Sequence, residues 1–272
     1  MRKGVYIHGY TDWEQERLVK QNQTLGKYIY DRIDFSDCKR ILEIGCGVGA
    51  QMIHLLQQYP HLHISGLELE PSQLRKAELN LKSLIHDESR YSLVLGDATD
   101  LPKELSDDYD AVFMVWVLEH IPDPSAVLSE LARHFKKGTK IFITEVAHSG
   151  FQVYPQHQSI GRFWRTMMTF QSDNGGDADI GFTMGNLLHE AGFKVKDLRP
   201  YPMHFDKRKP QQRLEMLQYW LDLMRSAVPG MREGGVLNEA VWHEAEAHMI
   251  SLMSDDNAVF YYAFMQASVE CP

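Results

Sequence analysis

An α/β fold built on a doubly wound, mainly parallel sheet is what this sequence predicts, and three observations predict it. Between residues 40 and 146, short apolar runs alternate with stretches of helical periodicity. The connections between them are short. The first run, 40–44, passes directly into a glycine-rich turn, Gly45-Cys46-Gly47-Val48-Gly49. In open sheets of this kind ligands bind beyond the carboxyl ends of the strands, so the loops at that edge are where function is to be sought.

Taken in order, residues 13–33 carry Leu18, Leu25, Ile29 and Ile33 at helical spacing. A helix placed before the first core strand can lie across the crevice as a lid. Strands are predicted at 40–44, 63–69, 91–95, 111–115 and 140–146, with helices between them at 51–59, 71–85 and 124–135. Asp123-Pro124 supplies a cap and a first helical residue for the last of these. Residues 150–181, with the turn-like Asp173-Asn174-Gly175-Gly176-Asp177, lack a clear period and are expected to be an irregular insertion. A further helix and strand follow at 184–191 and 193–198. Two amphipathic helices are expected at 210–226 and 238–253, with Pro229, Gly230, Gly234 and Gly235 in their connection, and a last strand at 258–269.

This describes a single domain over 1–272. Residues 1–36 form the lid and 37–150 the core; 151–180 and 203–256 are cap insertions, and 181–202 and 257–272 supply the remaining sheet elements. No internal repeat is present.

Composition narrows the function. A chain of 272 residues with 44% hydrophobic and 11% aromatic content supplies a substantial core. Its 28 basic and 37 acidic residues give a net charge of -9, which disfavours a nucleic-acid partner because such proteins usually carry a basic face. Lys207, Arg208 and Lys209 form the only basic run of note, and Asp206 and Pro210 flank it as in a solvated turn. Cys38, Cys46 and Cys271 have neither disulfide-framework nor zinc-site spacing, so no metal is expected. No apolar run has signal-peptide length or the roughly 18 residues of a membrane span. A cytoplasmic protein without membrane contact is therefore expected, and the sequence is silent on oligomeric state.

The glycine turn is the most informative stretch. Glycine allows positive φ and close approach of a ligand to the main chain. The spacing Gly-x-Gly-x-Gly, preceded by Glu43, differs from the Gly-x-Gly-x-x-Gly that sets a helix terminus against a pyrophosphate. Glu68 ends the second predicted strand 19 residues beyond Gly49, where an acid can accept hydrogen bonds from both hydroxyls of a ribose. Glu70, just before Pro71, fits a helix cap better. The third strand ends in Gly96-Asp97-Ala98, and Asp97 is either an acceptor for an adenine amine or a helix cap.

Together these residues resemble the class I S-adenosylmethionine-dependent methyltransferases. Glu43 to Gly49 is similar to their first motif, Glu68 to their ribose acid, and Gly96-Asp97-Ala98 to their adenine contact. Asp110 to His120 resembles their fourth strand and the turn after it, and Phe135-Lys136-Lys137-Gly138 their approach to strand five. The likeness covers roughly residues 40–146 and weakens beyond. It implies a Rossmann-like sheet of seven strands, the last antiparallel, and S-adenosylmethionine as cofactor, held by Glu43, Gly45, Cys46, Gly47, Glu68, Leu69, Asp97, Ala98, Val115 and Trp116. Tyr6-Ile7-His8-Gly9-Tyr10 with Glu16-Arg17-Leu18 and Gln21 is similar to the start of a small-molecule subgroup, which implies that Tyr10, Arg17 and Gln21 reach the cofactor's methionine end.

The implied activity is in-line methyl transfer to a small organic acceptor. A sulfonium methyl is already activated, so the enzyme mainly positions a nucleophile and excludes water. A base helps where the acceptor carries a proton. His148, beyond the fifth strand, is the first candidate, and His120, beyond the fourth, the second; local hydrogen bonding is the alternative role for each. Phe151, Tyr154 and Trp164 with His120 are candidates for the substrate pocket, to whose apolar wall Trp116 and Phe163 could add; core packing is the other reading of these aromatics, and the methionines at 216, 224, 249 and 253 are read mainly as cap packing. Cys46 is expected to contribute its backbone. A protein substrate and a non-catalytic cofactor-binding protein are the alternatives. The Asn-Pro-Pro-Tyr or Asp-Pro-Pro-Tyr segment of relatives that methylate amide or base nitrogens is absent, and Val115-Trp116-Val117-Leu118 stands in its place. A nicotinamide oxidoreductase would need the longer glycine spacing.

Overall fold

In a computed structural model, which describes residues 6–272, the apolar runs assemble into one eight-stranded sheet. Strands β1 (Arg40–Ile44), β2 (His63–Glu68), β3 (Tyr91–Leu95), β4 (Ala111–Val115) and β5 (Lys140–Glu145) run parallel in the order 3-2-1-4-5. Strands β6 (Gln152–Tyr154), β7 (Lys194–Phe205) and β8 (Val259–Glu270) complete it. The order reverses between β1 and β4, and a crevice opens there beyond the strand ends.

β8 is antiparallel and long enough to serve three neighbours. Its second half pairs with β5, from Lys140↔Glu270 to Glu145↔Met265, and its first three residues pair with β6. Its other edge pairs along its length with β7, up to Phe205↔Phe260, with an irregularity between Val195 and Asp197. The sheet thus has one strand more than the seven expected. β6 prolongs the line of β5 after a single turn at His148–Gly150, inside the segment that lacks a period in the sequence.

Helix α1 (Asp12–Ile29) begins at Thr11, whose side chain accepts the Glu14 amide, and occupies most of the helical stretch expected at 13–33; residues 1–5 of the predicted lid lie outside the described residues. α2 (Ala50–Gln58) leaves the glycine turn. α3 (Pro71–Leu84) is capped by Glu70 on the Ser72 amide, as anticipated, and α4 (Pro124–His134) by Asp123 on the Ala126 amide.

The 150–181 segment is not irregular. It contains α5 (Gln158–Asp173), whose Ile160, Phe163, Trp164, Met167 and Phe170 form a buried helical stripe, and the start of α6 (Ile180–Glu190). α7 (Pro210–Glu233) runs through Pro229-Gly230 instead of ending at 226, and α8 (Glu239–Ser254) follows the Asn238 cap. Burial of Val228 and Met231 favours continuation, and Gly230 leaves room for the N-terminal segment, since a Cβ there would stand 2.7 Å from the Ile7 carbonyl oxygen.

β4 shows how the core divides. Ala111, Phe113 and Val115 face one apolar cluster, and Val112 and Met114 face the other, as strand alternation requires. The first cluster continues into α1, α5, α7 and α8, so these helices are built onto the sheet by a shared interior.

Candidate active site

Gly45 (φ 69°), Gly47 (φ 52°) and Gly49 (φ 73°) carry the chain from β1 into α2 in left-handed conformations that favour glycine. At Gly45 space is also decisive, because a Cβ would lie 2.7 Å from Val117 Cγ2 in the turn after β4. Glu68 locks this turn from β2. Its Oε2 accepts the Gly47 amide at 2.9 Å and its Oε1 the Glu70 amide at 2.9 Å. The carboxylate lines the cavity while holding these amides. Burial raises the Glu68 pKa, opposed by these amides. Cys46 turns its thiol toward Gly66, where a Cβ would be 2.8 Å from the sulfur, and burial pushes that thiol's pKa up.

One cavity of ≈1020 Å³ begins over this turn and continues beneath α1 and α7. Tyr10, Arg17, Gln21, Gly45, Cys46, Gly47, Glu68, Leu69, Asp97, Ala98, Val115 and Trp116 all line it. Asp97 stands at the exposed rim, where its Oδ1 accepts both the amide and the hydroxyl of Thr99 at 2.8 Å. Glu43 does not line the cavity. Alternation along β1 sets it on the buried face with Ile41, where one carboxyl oxygen has no partner and burial raises its pKa well above the usual range.

α1 is fixed over the cavity by polar contacts. Arg17 donates through Nε and a terminal nitrogen to the two oxygens of buried Glu14, each at 2.7 Å, and the Tyr6 hydroxyl adds a third bond to Glu14 at 2.7 Å. The Gln21 Oε1 accepts from Arg17 at 2.9 Å and from the Tyr219 hydroxyl of α7 at 2.8 Å. Asn22 reaches the Ala50 carbonyl oxygen, tying α1 to α2.

The inner end of the cavity is built by the turns after β4 and β5. Trp116 takes a positive φ of 56°, unusual for a bulky residue and a conformation that persists only where its surroundings hold it. Its amide donates to the Thr144 carbonyl oxygen, and its buried Nε1 has no hydrogen-bond partner among the described residues. Glu145 holds the same turn, accepting the amides of Val117 (3.0 Å) and Leu118 (2.7 Å) on Oε1. Burial raises the Glu145 pKa to about 7.

Next come Glu119 and His120. Glu119 Oε1 lies 3.6 Å from His120 Nε2 and its Oε2 lies 3.7 Å from His148 Nε2, while Gln171 donates to Oε2 at 2.8 Å. His148 Nδ1 is 3.2 Å from the Tyr262 hydroxyl. Burial first, then Arg17 for His120 and His120 for His148, pushes both histidines down to about 3, so each is neutral near pH 7. Burial, followed by the charge of Glu145, raises the Glu119 pKa well above the carboxylate range.

His120 and His148 thus line the cavity, whereas Phe151, Tyr154, Phe163 and Trp164 do not. Phe151 stacks on Trp220 at 5.4 Å and meets Trp164 at 4.8 Å, both inside the cap core. Trp164 donates to the His148 carbonyl oxygen at 2.8 Å and so supports the turn from behind. Tyr154 is 63% exposed on β6. Trp220 belongs both to this aromatic core and to the cavity wall. The sequence reading missed Tyr6, His8, Glu119, Tyr219 and Tyr262 as lining residues. Glu119, adjacent to His120, carried a signal, as did Tyr6 and His8 within the opening segment; Tyr219 and Tyr262 carried none.

Comparison with known proteins places this geometry. Residues 42–141 match a family profile described as a methyltransferase domain. The chain is similar to a ubiquinone biosynthesis O-methyltransferase of Xanthomonas oryzae pv. oryzae, 31% identical over 49% of this chain and 53% of that one. It is similar as well to methyltransferase GfsG of Streptomyces halstedii, 28% identical over 49% and 47%. The chain spans about half the length of the curated relatives it matches. Among solved structures, Haemonchus contortus phosphoethanolamine N-methyltransferase 2 in complex with S-adenosyl-L-methionine shares the fold, with a TM-score of 0.59 and 16% identity over 97% of this chain and 57% of that one. Among the described residues no helix is long and apolar enough to cross a membrane, and no group of three metal-ligating side chains gathers.

Proposed function

We propose, for a chain that belongs to the class I S-adenosylmethionine-dependent methyltransferases, that it methylates a small organic molecule held beneath α1 and α7. The observation that carries this is the continuity of one ≈1020 Å³ cavity from the glycine turn to the Glu119 cluster. Pockets for a single small ligand span roughly 300–1,000 Å³, so this space suits a cofactor together with an acceptor. Glu119 and His148 at its inner end are buried, which favours a small molecule over a protein segment.

The residues fit the cofactor. Gly45 and Gly47 leave main chain accessible at the cavity, Glu68 offers its carboxylate for a ribose, and Asp97 and Leu69 stand at the rim for an adenine. Arg17, Gln21 and Tyr10 close the methionine end. When bound, S-adenosylmethionine supplies an electrophilic methyl group. The chain then has to orient the acceptor and exclude water, and α1, tied to α2 and α7, covers the site for that purpose.

The test is calorimetric titration with S-adenosylmethionine and its demethylated product, followed by mass spectrometry of reactions with a panel of small hydroxyl, amine and thiol acceptors. Saturable binding of both compounds and a mass gain of one methyl on a small acceptor are expected. Absence of binding, or methylation confined to protein, would overturn the reading.

A further inference from the structure

The cavity changes character along its length. Near the glycine turn its lining carries three acidic side chains, Glu68, Glu70 and Asp97, which suits a cofactor that bears positive charge on sulfur and nitrogen. Toward the turns after β4 and β5 the wall becomes aromatic and aliphatic, with Tyr6, Trp116, Trp220 and Tyr262 beside Val146 and Leu223.

The polar groups of this inner end are engaged with one another. Among the described residues Arg17 is the one lysine or arginine that lines the cavity, and three of its N–H groups already serve Glu14 and Gln21. The Tyr6 and Tyr219 hydroxyls donate to Glu14 and Gln21, and the Tyr262 hydroxyl accepts the Ala147 amide and meets His148 Nδ1. His8 Nδ1 and the Ser226 hydroxyl share a bond of 2.6 Å. Glu119 is 5% exposed, accepts from Gln171 on Oε2, and has the Nε2 atoms of His120 and His148 beside its two oxygens. His120 differs from His148 in that its Nδ1 has no hydrogen-bond partner among the described residues. Burial keeps His8 and His120 neutral near pH 7, so an open ring nitrogen there can meet a hydroxyl but cannot balance a charge. Burial likewise favours the neutral form of Glu119, which leaves no fixed anion for an ammonium.

Taking an ionised group out of water is offset only where an opposite charge or dense hydrogen bonding awaits it. An uncharged body loses little on entry and gains from the aromatic wall. We propose, resting on the methyltransferase reading above, that the inner end of the cavity selects an uncharged acceptor with a flat apolar body and excludes carboxylate, phosphate and ammonium compounds, because Arg17 and Glu119 are already engaged within the protein. Selection of this kind acts through the cost of desolvation, and the outer, acidic end of the same cavity does not share it.

The test uses the full chain, saturated with the demethylated cofactor, and the uncharged fluorescent dye N-phenyl-1-naphthylamine as reporter. Three competitors share one naphthalene body and differ in charge: 1-naphthylmethanol, 1-naphthoate and 1-naphthylmethylammonium. Saturable reporter binding is expected, displaced by the alcohol, with each charged compound at least about 100-fold weaker. Leu223→Trp fills the inner wall from α7 and should weaken reporter binding at least about tenfold. Circular dichroism and calorimetry with S-adenosylmethionine stay as in wild type for that variant, which assigns the dye to the inner end; if Leu223→Trp does not fold, Leu223→Phe replaces it. A smaller gap for either charged compound, no saturable reporter binding, or reporter affinity unchanged by filling position 223 overturns the proposal. Failure of wild type to bind S-adenosylmethionine overturns the methyltransferase reading instead, and the separate calorimetric titration keeps the two failures distinct.

Discussion

Gly45 and Val117 meet so closely that a Cβ on the glycine would stand 2.7 Å from Val117 Cγ2. The turn after β1 and the turn after β4 are therefore one packed unit across the strand-order reversal.

Gly45→Ala should destabilise the fold by about 2–4 kcal/mol, since the left-handed backbone penalises a Cβ and the new methyl overpacks Val117. Adding Val117→Ala should recover the packing share only. Chemical denaturation of the single and double variants measures both, and complete recovery would show that the backbone conformation carries no cost.

Glu68→Ala should weaken S-adenosylmethionine binding by about 1.5–3 kcal/mol, the range for hydrogen bonds to a charged group. The substitution also frees the Gly47 and Glu70 amides, so Glu68→Gln, which retains one accepting oxygen, should lose less. Calorimetry distinguishes the two, and wild-type affinity in the alanine variant would remove the ribose assignment.

Burial moves the Glu145 pKa from 4.5 to about 7. Between these values the folded protein holds a proton that the unfolded chain has released, so stability from this group falls as pH rises through the window and levels off above it. The full effect is on the order of 3 kcal/mol. Glu145→Gln keeps an acceptor for the Val117 and Leu118 amides and should lack the slope. Urea midpoints at intervals from pH 4.5 to 8 test this; parallel profiles for the two proteins would exclude the carboxyl as the source.

Tyr219→Phe removes the bond from α7 to Gln21 and should cost about 1 kcal/mol. Deuterium uptake in α1 should rise while that in β1 and β4 stays unchanged. Unaltered uptake in α1 would show that Asn22 and the apolar packing of α1 suffice to hold the lid.

The parallel core was legible because strands buried on both faces are continuously apolar and because special backbone positions demand glycine; Ile41 to Gly49 carries both signals. Glu68, Asp97 and Gly47 were legible at the site because strand ends in an open sheet project into a fixed crevice. α5 was obscured by the Asn174-Gly175-Gly176 turn beside it, although Ile160, Phe163, Trp164 and Met167 hold a helical period. α7 crossed Pro229-Gly230 because tertiary burial outweighed a local break signal. Phe151 and Trp164 could not be told from pocket residues by type, since an aromatic side chain suits a cap interior and a ligand wall equally. The difference between His120 and His148 depends on Tyr262, 114 residues distant from His148, and no local pattern encodes it.

Trp220 belongs at once to the chamber's lining and to the hidden aromatic stack with Phe151 and Phe260. Trimming either of those neighbours gives the indole somewhere to retreat, and the guest space grows without any change in the chemistry that meets the guest. Selectivity by size is thereby open to adjustment from positions that never touch what they select.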